Sequence, residues 1–256
     1  MKIQDLIAGF YKNREWVEMM LQDKLNFLNK YTLSEELSVS LIESNDIDYI
    51  QKDLIPDEWR EIFKEKDKSS KISRVLTIWK RYVSNEMSNT ISFLKEFLID
   101  VELMAIGDRY SILYSVKNAR GKILYYEGRN PKEYFNNEQL EEDWSKIPDK
   151  IRSFYENVHS GFYYYPSKSM GLESLENITY LDDYEWGIVD EIGEHNLKID
   201  FVSSYGFFSN GMGTYVVVDY KNSLGDNATL WSSKEEPEYN LNFWDVVDEW
   251  MVIGFE

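Results

Sequence analysis

Six carboxylates fall within the run LDDYEWGIVDEIGEHN, at Asp182, Asp183, Glu185, Asp190, Glu191 and Glu194. Side chains of this kind can ligate a hard cation, work as an acid–base pair, or present negative charge to a basic surface. An EF-hand loop needs oxygen donors at its first, third and fifth positions and glycine at the sixth. Counting from Asp182 puts Tyr184 third, and counting from Asp219 puts Lys221 third, so neither run fits. Glycoside hydrolysis needs two carboxylates about 5 to 9.5 Å apart, a condition that 46 acids meet somewhere by number alone. Two readings remain: a solvated acidic face, or a face that meets basic side chains of a partner, steering association and fixing register.

The other reactive residue types offer less. His159 stands beside the helix-ending Gly161 and reads as a structural, capping residue. His195 lies among acids with no second nitrogen ligand near it, which argues against a transition-metal site. The chain has no cysteine, so disulfides, thiolate catalysis and cysteine-ligated zinc are excluded. No Gly-x-Ser-x-Gly elbow occurs. Gly211-Met212-Gly213 has the spacing of a phosphate loop, but such a loop leads from a strand into a helix. Here the β-formers Thr214 to Val218 follow at once, so the glycines are read as turn residues supplying positive φ. No catalytic residue, cofactor or metal is expected.

Charge sharpens the partner reading. The net charge is −18, and residues 171–256 carry 3 Lys and no Arg against 18 acids, which is −15. Residues 1–170 carry 25 against 28, which is −3. Such a field repels nucleic-acid phosphate and anionic lipid and attracts basic surfaces, with a rate that falls with salt. The opening residues lack an apolar core of signal-peptide length, and Asp100 and Glu102 break the apolar stretch from Phe97 to Gly107. The expectation is a cytoplasmic protein with no membrane span.

The elements that must position these residues fall into two regions. Residues 1–139 read as mostly helical, ending in a small β-hairpin. Trp16, Met20, Leu21, Leu25 and Leu28 recur at helical spacing, Ser34-Glu35-Glu36-Leu37 resembles a helix start, and Ile55-Pro56-Asp57 opens another helix. KEKDKSSK (64–71) reads as a flexible connection before helices over 72–84 and 90–99. VELMAI, YSILYSV and KILYYE are β-rich, with a turn at Asn118-Ala119-Arg120-Gly121 between the last two, and the polar run EGRNPKEYFNNEQLEED (127–143) reads as a linker.

Residues 140–256 begin with a helix opened by Pro148 and ended by Gly161. Strands are predicted at GFYYYP, LKIDFVSS, TYVVVDY and ATLWSS, followed by a closing helix in LNFWDVVDEWMVIGF that is apolar on most sides. Tyr163 and Tyr165 alternate with Phe162 and Tyr164, so one set faces away from the core unless helices cover both faces. Exposed tyrosines beside acids make a hot spot for a basic partner. The class is α+β, with a central antiparallel sheet flanked by helices.

This second region resembles the SUKH superfamily, which contains fungal cell-wall-synthesis regulators and many bacterial immunity proteins. The likeness rests on the proline-started helix Ile147–Gly161, the glycine-bearing strand signature Phe208–Tyr215, the acid Asp219 beyond it, and the late aromatic helix Phe243–Trp250. It implies a binding protein rather than an enzyme: an immunity protein that docks on a cognate polymorphic toxin domain and blocks its basic active face. Such toxins are frequently nucleases or deaminases. On that reading Asp182, Asp183, Glu185, Asp190, Glu191 and Glu194 make the contact, with Tyr163 and Tyr165 as anchors. The alternative is a regulatory interaction module without a toxin partner.

Overall fold

Side-chain alternation along the β-rich runs is the key to the architecture. In a computed structural model, which describes residues 19–32, 36–135, 137–223 and 225–256, these runs join one antiparallel sheet. Its strands are β1 (Val39–Leu41), β2 (Leu98–Ile106), β3 (Arg109–Lys117), β4 (Ile123–Arg129), β5 (Phe162–Tyr164) and β6 (Ser169–Leu172). They continue with β7 (Thr179–Tyr180), β8 (Ser204–Ser209), β9 (Thr214–Asp219), β10 (Asn227–Ser232) and β11 (Glu238–Asn242). Their spatial order is β1-β2-β3-β4-β5-β6-β8-β9-β10-β11, and β7 pairs beside β8. The α+β class expected from the sequence is the class observed. Strands from either side of residue 139 share this sheet, joined where Glu127 of β4 pairs with Tyr163 of β5.

One face of the sheet carries the helices α2 (Asp57–Phe63), α3 (Lys68–Val83), α4 (Ser88–Phe97), α6 (Asp149–Asn157) and α8 (Phe243–Phe255). The even-numbered residues Ile112, Tyr114 and Val116 of β3, Tyr126 of β4, and Val216 and Val218 of β9 point into this layer. They meet Trp59, Trp79, Phe154 and Met251 from the helices. Their odd-numbered neighbours point the other way. Leu113 packs with Leu28 of α1 (described over 19–30), and Val217 packs with Leu181 and Ile188. The short α5 (Glu138–Asp143) leads into α6.

His159 sits inside the helical layer rather than capping a surface turn. Trp79 Nε1 donates to Tyr114 Oη (3.0 Å), and Tyr114 Oη donates to His159 Nε2 (2.7 Å). His159 Nδ1 then donates to the Arg129 carbonyl (3.1 Å), which fixes the tautomer. Burial pushes its pKa down to about 3, so the ring is neutral. Gly128 is the strand residue beneath it, and a Cβ there would stand 2.4 Å from the ring. The histidine is therefore structural, as expected, but through a buried hydrogen-bond chain.

Several local expectations change. Ser34, Glu35 and Trp16 lie outside the described residues, but Glu36 and Leu37 lead into strand β1 rather than a helix. On α1, Met20 and Leu21 are exposed while Leu28 is buried, because the helix meets the sheet only from the Lys24 turn onward. The flexible connection at 64–71 is shorter than expected: Asp67 accepts from Ser70 N (2.7 Å) and starts α3 at Lys68. The strand expected at LKIDFVSS begins only at Ser204, because Asp200 and Asp219 hold Phe201–Ser203 as a turn. Gly211 and Gly213 have φ of +74° and +92° between β8 and β9, so they turn the chain into a strand.

Candidate partner-binding face

The six sequence-predicted acids lie on one strap, residues 181–196, that crosses the second face of the sheet. Asp182 and Asp183 belong to a single 3₁₀ turn (Leu181–Asp183), and Glu185 lies in the extended stretch after it. Asp190 and Glu191 belong to α7 (Gly187–Ile192), and Glu194 opens the turn Glu194–Asn196. Apolar residues at irregular spacing nail the strap down. Leu181 is buried completely, Ile188 nearly so, and both pack with Val217 and Trp231. Trp186 sets its ring edge-on to Trp231, 5.6 Å between centroids, and its Nε1 donates to the Leu181 carbonyl (2.9 Å).

This anchoring turns the charges outward. Asp182, Asp183, Glu185, Asp190 and Glu191 are all exposed, and none of them is in a salt bridge among the described residues. The strap borders a cleft of about 490 Å³ whose lining includes Ile188, Glu191, Glu236 and Tyr239. Its lining sets the carboxylates of Glu191 and Glu236 among Ile188, Ile192 and Tyr239, a mixture that suits the head and stem of an arginine or lysine side chain.

Tyr163 and Tyr165 are not part of this face, and the expectation of exposed anchors is corrected. They are 1% and 0% exposed. Tyr165 Oη donates to the Leu28 carbonyl beneath α1 (3.1 Å). Tyr163 Oη donates to Glu127 (3.1 Å) and accepts from Arg129 Nη1 (3.2 Å). Both faces of β5 are covered, so alternation leaves Tyr163 and Tyr165 buried and Tyr164 only part-exposed.

What Tyr163 joins is a polar centre that sequence reasoning missed. Arg129, only 4% exposed, donates through Nε to Glu133 (2.9 Å) and through Nη1 to Glu176 (2.7 Å). Glu176 also meets Arg109 (3.4 Å), and Lys168 reaches Glu127 (3.3 Å). Burial pushes the Glu127 carboxyl up, but Lys168, Arg129 and Arg109 outweigh it and hold the group below the ordinary carboxylate value. Burial likewise opposes Glu176, and Arg129 brings it down. At Glu133 burial wins over Arg129 and the pKa is raised, and at Lys168 burial wins over Glu127 and the pKa is lowered.

Two clefts, of about 400 and 480 Å³, open beside this network and share Asp108, Arg109 and Glu176. Three cations stand against three carboxylates, so the network neutralises itself and fixes β3, β4, β5 and the 168–176 segment to one another. Its signal was present in the sequence as Glu127 and Arg129, two apart in a β-rich run and hence on one face of a strand. The polar run that reads as a linker thus begins inside the sheet.

Among the described residues no group of three or more His, Cys, Asp or Glu could hold a metal ion. Asp219, the acid of the strand signature, is buried and organises a turn, accepting from Ser203 Oγ (2.6 Å), Asn222 Nδ2 (2.7 Å) and Asp200 N (2.8 Å). Among the described residues no helix is long and apolar enough to cross a membrane. The fold and site together define an α+β protein whose sheet carries a pinned acidic strap. No protein-family model matches the chain, and neither a curated protein nor a solved structure matches it.

Proposed function

We propose that this chain is an immunity protein, which binds a cognate toxin domain and neutralises it by laying the acidic strap across that domain's basic active face. The observation that carries the reading is the strap itself: five exposed carboxylates in no salt bridge among the described residues, held on a frame of buried Leu181, Ile188 and Trp231. Preorganised charge of one sign speeds encounter with a basic partner and loses little entropy on binding. The charge of −15 over residues 171–256 extends the same field. The likeness of residues 140–256 to the SUKH pattern gives the partner its class, and nuclease and deaminase toxin domains are the first to test.

The experiment is a titration of the chain against the variable C-terminal domain of a toxin encoded beside its gene, at low and high salt. Tight binding that weakens with salt, together with rescue of cells expressing that domain, is expected. The variant D182N/D183N/E185Q/D190N/E191Q should bind at least ~10-fold more weakly, about 1.4 kcal/mol. Unchanged binding by this variant removes the strap from the interface. Rescue of no toxin, with binding to a cellular protein instead, makes the chain a regulatory interaction module.

A further inference from the structure

The opposite face of the molecule carries a second surface that the strap does not explain. α4 and α8 run side by side on the helical layer and leave a groove of about 760 Å³ between them. Its apolar floor is Phe93, Phe97, Val252 and Ile253, the last 53% exposed. Its rim includes Glu86, Glu96, Asp245 and Glu249 with serine and asparagine side chains between them, and among the described residues no lysine or arginine lines it. Lys150 partly neutralises Glu86 (2.9 Å), whereas Glu96, Asp245 and Glu249 are in no salt bridge among the described residues.

The two helices that wall the groove are tied to one another. Asp248 accepts from the backbone N–H groups of Asn89 (2.9 Å) and Thr90 (2.8 Å), so a carboxylate of α8 caps the first turn of α4. Phe93 stacks on Phe255 at 5.0 Å and packs against Phe97 at 4.5 Å. Gly254 lets α8 lie close to the sheet, since a Cβ there would stand 2.9 Å from Met170 and from Tyr126 Oη.

We infer that this groove is a docking site for a basic amphipathic helix of a partner protein. An apolar floor between two acidic rims is complementary to one apolar stripe flanked by lysine or arginine. The 13 residues of α8 span about 20 Å, the length of a helix of roughly four turns. The inference stands apart from the immunity reading, since strap and groove lie on opposite faces of the sheet.

The test uses the whole chain and a fluorescently labelled Lys/Leu peptide of about four turns with a single apolar stripe. A peptide of the same composition with the stripe scrambled, and a Glu/Leu counterpart, serve as controls. Anisotropy should show saturable binding of the striped basic peptide alone. Ile253→Lys, at a half-exposed position that leaves the fold intact by circular dichroism, should weaken it at least ~10-fold. The variant E96K/E249K should lose the basic peptide and gain the Glu/Leu one.

The five-amide strap variant should bind the striped peptide as the unaltered chain does, so failure of the groove and failure of the strap are read separately. Equal binding of the scrambled peptide, or striped-peptide binding indifferent to both groove variants, overturns the inference. A dimer in sedimentation equilibrium that Ile253→Lys dissolves also overturns it, by assigning the groove to a second copy of the chain.

Discussion

The second face of the sheet is covered by two elements that dock alike and treat charge oppositely. α1 and the strap each bury apolar residues against the strands: Leu28 beside Met104 and Leu113, Leu181 and Ile188 beside Val217 and Trp231. α1 turns the side chains of Lys24 and Asn29 onto the protein. Lys24 is in a salt bridge with Glu102 and donates to Ser115 (3.2 Å), and Asn29 accepts from Val39 N (2.7 Å). Among the described residues the five exposed acids of the strap are in no such pair. A cover that ties its partly buried cation to the sheet is architecture. One whose charges are left outward by equally firm packing has charge available for something else.

The sharpest way to break this comparison is to ask whether the two covers are equally firm. Leu28 and Leu181 are both fully buried, so Leu28→Ala and Leu181→Ala should each destabilise the chain by about 2–5 kcal/mol in urea unfolding. A loss below about 1 kcal/mol for Leu181→Ala alone would mean that the strap lies loosely on the sheet, and its acids would not be preorganised.

A second test separates the covers by pH. Glu173 is 6% exposed and adds to burial in raising the Tyr215 phenol, and burial pushes its own pKa up to about 8, partly offset by Ser209. A carboxyl that holds its proton more tightly when folded favours folding at low pH. Its contribution is fully present below the ordinary carboxylate range and is lost as pH rises toward about 8. The unfolding midpoint should therefore fall between pH ~5 and ~8, and Glu173→Gln, which keeps the neutral shape, should flatten that slope. A slope unaltered in Glu173→Gln would assign it to other groups.

How far these covers could be read from the sequence follows from how local their causes are. The turn at Asn118–Gly121 is real, with Asn118 Oδ1 accepting from Lys122 N (2.9 Å), and Thr214–Asp219 forms a strand because its β-formers follow two turn glycines. Pro148 precedes α6 as expected. The acidity of the strap was legible too. Its anchorage was not, because Leu181, Trp186 and Ile188 follow neither a helical nor a strand period. Nor was the burial of Tyr163 and Tyr165, which depends on β4 pairing with β5 across more than thirty residues and on α1 returning to cover the far side. The ion network failed for the same reason. Composition made its first half look like a linker, and only long-range pairing puts Arg129 among Tyr163, Glu133 and Glu176.

The smallest expected effect bears most directly on the contrast between architecture and display. If the strap's acids are display, removing their charge should cost the fold nothing. The five-amide variant D182N/D183N/E185Q/D190N/E191Q should keep the urea midpoint of the unaltered chain or raise it slightly, because like charges crowded on one segment repel. Hydrogen exchange over residues 181–196 should be unchanged, since Leu181, Trp186 and Ile188 do the holding. Lys24→Met is the counterpart under α1. It removes a part-buried partner of Glu102 and Ser115 and should lower the midpoint measurably, by an amount on the order of 1–3 kcal/mol. If instead the amides destabilise the chain as much as Lys24→Met, the strap's carboxylates are structural, and the distinction between the two covers disappears.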